Sequence, residues 1–260
     1  MDLTVVDRRH FLGGATALVG SLAITRTVSA ALLQKSSVAI DHISLGVQNL
    51  YEGVDRLRRE TGLGNYDGGW FPDTGVANKY VPLGGGTYVE VESVVDTFAV
   101  GRGYPLAIWG HDQLRDGDAF WGWSCRVSSR EEIEAIAKRL GTEVIEKAFK
   151  VGMNGHSGSS DMTPNTFEAW KRGMPNFFYR ENLENIPSPG AVTPSPLNVR
   201  PAGLAWLEVG GAEQAMSTYL GVPAASLGLR CNGKTPGVHA LGVHTEHGEV
   251  EIRRRPISIG

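Results

Sequence analysis

The sequence has 260 residues, of which 41% are hydrophobic and 20% are charged. This composition suffices for a sizeable core in one large or two small domains, and it excludes an intrinsically disordered chain. The net charge is −3 and no long basic run is present, so nucleic acid is excluded as an expected partner.

The first thirty residues have the features of an export signal. The segment Asp7 to Leu12, DRRHFL, resembles a twin-arginine motif, and it is followed by a mildly apolar stretch from Phe11 to Ile24. That stretch is too short to span a hydrocarbon core of about 30 Å. Val28, Ser29 and Ala30 supply small residues for cleavage. We therefore predict a signal peptide over residues 1–30, a periplasmic or secreted protein and no stable membrane anchor; the alternative is an uncleaved amphipathic anchor helix.

A strand and a helix open the mature chain. Alternation from Val38 to Val47 places His42 on the face with Ser44 and Gly46, and the apolar residues on the other face. Asn49 is a typical cap for the helix that follows, and glycines end that helix. The apolar face is expected to pack under the helix, which leaves His42 facing an open space.

Two further strands, Lys79 to Leu83 and Thr87 to Val95, are predicted as a hairpin joined by three glycines. In the second of these strands, Glu90 and Glu92 share one face with Tyr88. A curved sheet would bring Glu90 of this strand opposite His42 of the first strand. A histidine and a carboxylate in that arrangement indicate a divalent metal site.

A second unit of the same kind is predicted after a less periodic crossover, residues 96–120. Its strands are expected at Gly122 to Val127, Lys147 to Val151, Thr166 to Lys171 and Asn176 to Glu181, its helix at Ser129 to Leu140, and a long loop at residues 153–165. When the first strands of the two units are matched, Gly122 takes the place of His42. The second unit therefore lacks the first ligand and offers Arg126 on the same face.

A proline-rich linker is predicted over residues 182–201, and a shorter third echo of the unit over residues 202–260. The two cysteines, Cys125 and Cys231, are expected as free thiols, one of them buried. The sequence HTEH at residues 244–247 contains potential ligands, but a glycine follows it and a solvated hairpin turn is favoured.

The stretches DHISLGVQNL, NKYVPLGGGTYVEVESVVD, GWSCRV and PNFFYRE together resemble the vicinal oxygen chelate superfamily, and within it the glyoxalase-like domain proteins of bacteria. The resemblance covers residues 40–255. It implies an α+β fold of repeated βαβββ modules that form curved, cup-shaped sheets, with a glyoxalase-like domain over residues 38–181 and modules at 40–95 and 120–181. It also implies a divalent metal held by residues of the first and last strands.

By position, His42 and Glu90 match the ligands of the first module, and Glu181 is a candidate ligand from the second. The metal would be Zn, Fe, Mn or Ni, and the alternative is that none is bound. Glu92 is a candidate general base or a solvated rim carboxylate. Asn78 is expected either to contact substrate or to fix the hairpin.

Arg126 is a candidate carboxylate-binding residue, or it forms an ion pair with Glu181. Trp123 and the neighbouring tryptophans are expected to line the cup, where they would contact an apolar substrate, or to fill the core.

Two functions follow from the resemblance. The first is an exported metal-dependent enzyme with lyase, isomerase or ring-opening chemistry on a small oxygenated organic molecule. The second is a metal-free protein of the same fold that binds or sequesters a ligand. An extradiol-type dioxygenase fits poorly, because it needs a second histidine. Modules of this kind often pair across a dimer, so a homodimer is one expected state.

Overall fold

The computed structural model describes residues 37–72, 74–150, 157–181 and 186–253. The predicted signal peptide and His156 therefore lie outside the described residues. No helix in the described part of the chain is long and apolar enough to cross a membrane.

The first module follows the order strand, helix and three strands. These elements are β1 (Ala39–Gly46), α1 (Leu50–Thr61), β2 (Tyr66–Phe71), β3 (Val76–Gly84) and β4 (Thr87–Val94). Asn49 caps α1 by accepting hydrogen bonds from two backbone N–H groups of its first turn. Gly62 ends the helix with a φ of 73°, a left-handed conformation that suits glycine.

The second module repeats this order with one added helix. Two short helices connect the modules, α2 (Thr97–Gly101) and α3 (Pro105–Gln113). The module itself contains β5 (Ala119–Arg126), α4 (Arg130–Leu140), β6 (Ile145–Lys150), β7 (Ser157–Met162), α5 (Thr166–Lys171) and β8 (Asn176–Tyr179).

The two modules form one eight-stranded sheet in the order β2-β3-β4-β1-β5-β8-β7-β6. In each module the first strand is parallel to the last, and β1 and β5 meet antiparallel at the centre. This arrangement confirms the α+β class with repeated βαβββ modules in curved sheets.

Residues 201–253 form a separate four-stranded sheet. Its elements are β9 (Pro201–Val209), α6 (Glu213–Leu220), β10 (Leu229–Cys231), β11 (Val238–Thr245) and β12 (Gly248–Arg253), in the order β10-β9-β11-β12. The first strand thus lies beside the second and third instead of beside the last. This pairing differs from that of the two modules, although the region begins with a strand and a helix as expected.

Two local predictions are corrected. Thr166–Lys171 is a helix instead of a strand, because Ala169 and Trp170 turn together into the core after Pro164 and a left-handed Asn165. Part of the predicted long loop is strand β7, which pairs with β6. The crossover contains α2 and α3.

Both cysteines are free thiols and Cys125 is buried, which confirms that expectation.

Candidate active site around His42

A β-bulge in β1 places two neighbouring side chains on the same side of the sheet. Ile40 lies opposite Cys125 and His42 opposite Ser124, so the intervening Asp41 has no partner in β5. A bulge breaks the strict alternation of side chains along a strand. Asp41 can therefore reach the imidazole beside it, and its Oδ2 lies 2.7 Å from His42 Nδ1.

Asp41 is completely buried and is paired with Arg180, whose Nη1 lies 2.5 Å from Asp41 Oδ1. Burial raises the pKa of the Asp41 carboxyl, but the charge of Arg180 and the hydrogen bond from His42 outweigh burial and hold that pKa well below its usual range. Asp41 is therefore an ionised acceptor, so the hydrogen on Nδ1 must belong to His42. This assignment of the tautomer follows from the hydrogen-bond network.

The opposite ring nitrogen of His42 faces Glu90. Nε2 lies 3.5 Å from Glu90 Oε2, and the Glu90 side chain retains 15% of its exposure. Asn78 is buried, donates to the other carboxylate oxygen of Glu90 and accepts a hydrogen bond from the backbone of Gly69 at 2.5 Å. Asn78 thus holds Glu90 in place and also ties β2 to β3. Its expected contact with substrate stays a prediction.

Two buried polar residues of the second module complete the surroundings of His42. Ser124 Oγ lies 3.1 Å from His42 Nε2 and 2.6 Å from Asn176 Oδ1. Ser124 and Asn176 are neighbours because strands β5 and β8 pair in a register that places the two residues opposite each other. The Nδ2 of Asn176 has no hydrogen-bond partner among the described residues.

An aromatic row covers the site. Tyr88 stacks on the imidazole of His42 at 5.2 Å, and Phe178 lies 5.6 Å from it on a tilted plane. Tyr80 meets the Tyr88 ring edge-on, and Tyr66 follows Tyr80 along the sheet. Burial, reinforced by nearby carboxylates, raises the pKa of both Tyr88 and Tyr80, so these phenols stay neutral. The parts of the site that retain exposure are Tyr66, Tyr80, Glu90 and Arg180.

A tryptophan occupies the position where the second module would supply a ligand. Gly122 lies opposite Ser44 and therefore on the face of His42. A Cβ atom on Gly122 would lie 2.1 Å from the ring of Trp170. Trp170, on α5, belongs to a small buried cluster that includes Trp121. Gly122, where the second module is expected to lack a ligand, is therefore covered by the indole ring of Trp170.

The other predicted site residues have different surroundings. Glu92 is buried and accepts a hydrogen bond from Ser44. Arg126 donates to the backbone carbonyls of Ile40, Gly85 and Gly86 and forms no ion pair with Glu181 within the described residues. The roles of Glu92 as base and Arg126 as substrate ligand stay predictions.

Trp123 is fully buried in the main core, and its indole N–H donates to the carbonyl of Gly173. Glu181 is exposed just beyond the end of β8. Their assigned roles, in substrate and metal binding, also stay predictions. Of the candidates from the sequence, the structure brings together His42, Glu90 and Asn78.

Sequence reasoning did not identify four residues of this site: Asp41, Ser124, Asn176 and Arg180. Asp41 adjoins His42 in the sequence, but strict alternation puts it on the opposite face. Arg180 adjoins Glu181, which drew attention as a potential ligand instead. A charged residue at the end of an apolar strand, such as Arg180 after PNFFY, is the signal that could have indicated it.

Two βαβββ modules in one sheet, with a histidine from the first strand and a glutamate from the last strand at its centre, define a fold of the vicinal oxygen chelate type. The family model described as Glyoxalase-like domain matches residues 40–220, and the chain belongs to this family. No curated protein matches the sequence.

Several solved structures are similar in fold. Methylmalonyl-CoA epimerase from Mycobacterium tuberculosis is 15% identical over 58% of this chain and 93% of its own, with a TM-score of 0.40. A hypothetical protein from Staphylococcus aureus is 11% identical over 83% of this chain and 86% of its own, with a TM-score of 0.48. A hypothetical protein from Bacillus halodurans C-125 is 15% identical over 58% of this chain and 99% of its own, with a TM-score of 0.39.

Proposed function

We propose that this glyoxalase-like protein is an exported enzyme that acts on a small oxygenated organic molecule, with a divalent metal ion between His42 and Glu90. One observation carries the proposal. In the neutral imidazole of His42, the hydrogen on Nδ1 leaves Nε2 as an acceptor, and this atom lies 3.5 Å from the carboxylate of Glu90, which is also an acceptor. Two acceptors at this distance repel each other unless a cation or a proton lies between them.

The residues present fit a metal ion of this kind. Zinc bonds to histidine and carboxylate ligands are about 2.0–2.2 Å long, so two such ligands at tetrahedral angles lie about 3.3–3.6 Å apart. The separation of His42 and Glu90 falls in this range. Asp41 on Nδ1 is the outer carboxylate that typically fixes a ligating histidine. Asn78 orients Glu90 in a similar way.

The ligand set is small. Among the described residues, no group of three or more His, Cys, Asp or Glu side chains is arranged to hold a metal ion. A bound ion would therefore have two strong protein ligands, and its other positions would be open to water or substrate oxygens. Open positions are typical of catalytic sites.

The chemistry proposed is isomerase, lyase or ring-opening chemistry. A divalent ion held by His42 and Glu90 would supply Lewis acidity toward a carbonyl or enediolate oxygen of the substrate, or lower the pKa of water. Asp41 keeps the Nε2 lone pair of His42 directed at Glu90. Tyr88 and Phe178 exclude water from the imidazole. Glu92 is the candidate base, buried behind Ser44 on the same strand face as Glu90.

The test is the metal content of protein purified folded and washed free of loose ions, measured by elemental analysis. We expect a stoichiometric divalent metal in the wild type and its loss in both His42→Ala and Glu90→Ala. His247→Ala and Glu134→Ala remove the same groups from solvated surface positions and are matched controls. Metal retained in either site variant would contradict the assignment of ligands.

A second function, a metal-free binding protein, is favoured by the aromatic row from Tyr66 to Phe178 and by the small ligand set. In that case an apolar ligand would change the aromatic fluorescence, and chelators would have no effect. Metal analysis separates the two proposals, because only the first requires a bound ion.

Export is part of the proposal and is supported by the arginine pair at residues 8 and 9. Replacing Arg8 and Arg9 together by lysine preserves the charge and removes the motif. We expect the wild-type protein in the periplasm or medium of a bacterial host and the variant retained inside the cell. Equal export of both would contradict the twin-arginine assignment. Arg26→Lys, near the predicted cleavage site, is the control.

A further inference from the structure

We propose that Arg180 binds a carboxylate group of the substrate, so that the molecule acted on is a small organic acid. This inference rests on the proposed metal-dependent function and names the substrate class of the same site. Arg180 follows β8 and lies beside the bulge of β1, where it shares Asp41 with His42.

Arg180 has hydrogen-bonding capacity left over. A guanidinium carries five N–H groups. Nη1 is 2.5 Å from Asp41, and Nη2 is 3.5 Å from the hydroxyl of Tyr88. Within the described residues these two contacts are its only hydrogen bonds, which leaves 5 − 2 = 3 N–H groups. The side chain keeps 16% of its exposure, so part of the group is open to a ligand.

The guanidinium is also held in a fixed orientation. Its central carbon lies 5.0 Å from the ring centre of Phe178, an attractive contact that positions the planar group. Asp41, which is completely buried, holds one end of it. A fixed, planar fork of donors matches a carboxylate in two-point fashion, and less ordering is required on binding.

The charges around the imidazole favour an anion once the metal is bound. Counting only the charged groups that contact His42 or Asp41, Asp41 and Glu90 contribute −2 and Arg180 contributes +1, a sum of −1. A divalent ion changes this sum to −1 + 2 = +1, and a substrate carboxylate then brings it to zero. Without the ion, a carboxylate would meet a site that is already negative. Carboxylate binding is therefore expected to depend on the metal.

The neighbouring arginine does not have these properties. Arg126 is committed to three backbone carbonyls, which tie β5 to β1 and to the hairpin between β3 and β4. Its contacts connect strands, whereas those of Arg180 lead to the candidate reacting groups. On these contacts we propose Arg180, in preference to Arg126, as the arginine that binds the acid group.

The experiment compares acids with their amides, which have the same shape and no charge. Binding of acetate, mandelate, acetamide and mandelamide is measured by calorimetry at saturating zinc, with the metal content determined on the same samples. Removing Arg180 alone would leave the buried carboxylate of Asp41 without its cationic partner, which is strongly destabilising. The informative pair is therefore Asp41→Asn against Asp41→Asn/Arg180→Gln, and neither variant contains a buried unpaired carboxylate.

Asp41→Asn is expected to bind zinc more weakly, so zinc is supplied at a concentration at which elemental analysis shows both variants fully loaded. Under that condition we expect the wild type and Asp41→Asn to bind at least one acid about tenfold or more tightly than its amide, equal to about 1.4 kcal/mol. The metal alone still attracts an anion, so the double variant should keep part of this preference. Relative to Asp41→Asn its preference for acids should fall about tenfold, while its affinity for the amides is unchanged. Arg230→Gln removes another arginine that stacks on an aromatic ring, in the separate sheet, and should have no effect.

Two results would overturn the inference. The first is metal-loaded protein that binds neither acid, or binds amides as tightly as acids. The second is a double variant with the same preference as Asp41→Asn alone, since Arg180 would then only neutralise Asp41. A protein that holds no metal overturns the proposed function and this inference with it. Failure of the inference alone is recognised by bound metal without a preference for acids.

Discussion

Replacement of Asp41 by asparagine should reverse the tautomer of His42. The carboxylate of Asp41 accepts from Nδ1 at 2.7 Å, and an amide in its place can present an N–H group to the same atom. Nδ1 would then accept, and the imidazole hydrogen would move to Nε2, where it would donate toward Glu90. A protonated Nε2 must lose its hydrogen before it can bind a metal ion or accept a substrate proton, so metal binding should be weakened without being abolished.

The magnitude follows from the contacts that Asp41 makes. Loss of an outer group that orients a ligating histidine typically weakens metal binding about 10- to 100-fold, equal to about 1.4–2.7 kcal/mol. Breaking a buried ion pair from one side costs about 3–5 kcal/mol of stability. The stability loss here should fall below that range, because asparagine can still accept from Arg180 and because Arg180 is partly exposed.

Nitrogen NMR of the histidine side chains measures the tautomer directly, with or without metal. We expect an unprotonated Nε2 in the wild type and a protonated Nε2 in Asp41→Asn. Zinc titration by calorimetry then gives the change in affinity. Asp55→Asn alters a solvated ion pair with Arg59 and is the matched control. An unchanged tautomer together with zinc affinity within about twofold of the wild type would refute the assigned role of Asp41.

Three further outcomes are expected. Gly122→Ala should lower the free energy of unfolding by about 1–3 kcal/mol, measured by denaturant titration, because its Cβ would overlap the ring of Trp170; unchanged stability would mean that Trp170 moves aside freely. Arg126→Met should destabilise the protein by about 2–4 kcal/mol through three lost charged hydrogen bonds, without changing metal content; loss of metal in folded variant protein would contradict its structural role. The pKa of Asp41 is depressed in the folded protein, so its carboxylate stabilises the fold above about pH 4, the pKa range of an unfolded aspartate, and this stabilisation is lost as the pH falls below that value. The wild type should therefore lose more free energy of unfolding than Asp41→Asn between about pH 5 and pH 2. Equal losses in the two proteins would contradict a stabilising interaction of ionised Asp41 with Arg180 and His42.

The pairing of His42 with Glu90 was accessible from the sequence because both lie on regular stretches of strand. Period-two alternation gives the face of each residue, and the order strand, helix and three strands indicates which strands meet. The same reasoning fails at Asp41. Strict alternation puts this residue on the face opposite to His42, but Asp41 is itself the extra residue of a bulge, so both side chains lie on the same face. A bulge depends on the pairing of β1 with β5, which no local pattern reveals.

Tertiary packing explains the other differences. The segment TFEAWK alternates well enough for a strand, yet it forms α5 because Trp170 fills the space over Gly122. Arg180 belongs to the site through a pairing between residues 139 positions apart. Ser124 and Asn176 meet only because β5 and β8 are neighbours. Each of these contacts is a property of the assembled sheet.

The tryptophan packed on Gly122 also has a stereochemical consequence. Trp170 and Trp121 fill the face of the sheet over Gly122 of β5 and Gly46 of β1, whereas Glu90, which retains exposure, lies on β4 at the other side of β1. We therefore expect a substrate to approach His42 from the side of Glu90. We expect protons to be exchanged on a single face of a prochiral carbon, so the product should have one configuration, in contrast to the mixture formed by a site with two opposed bases.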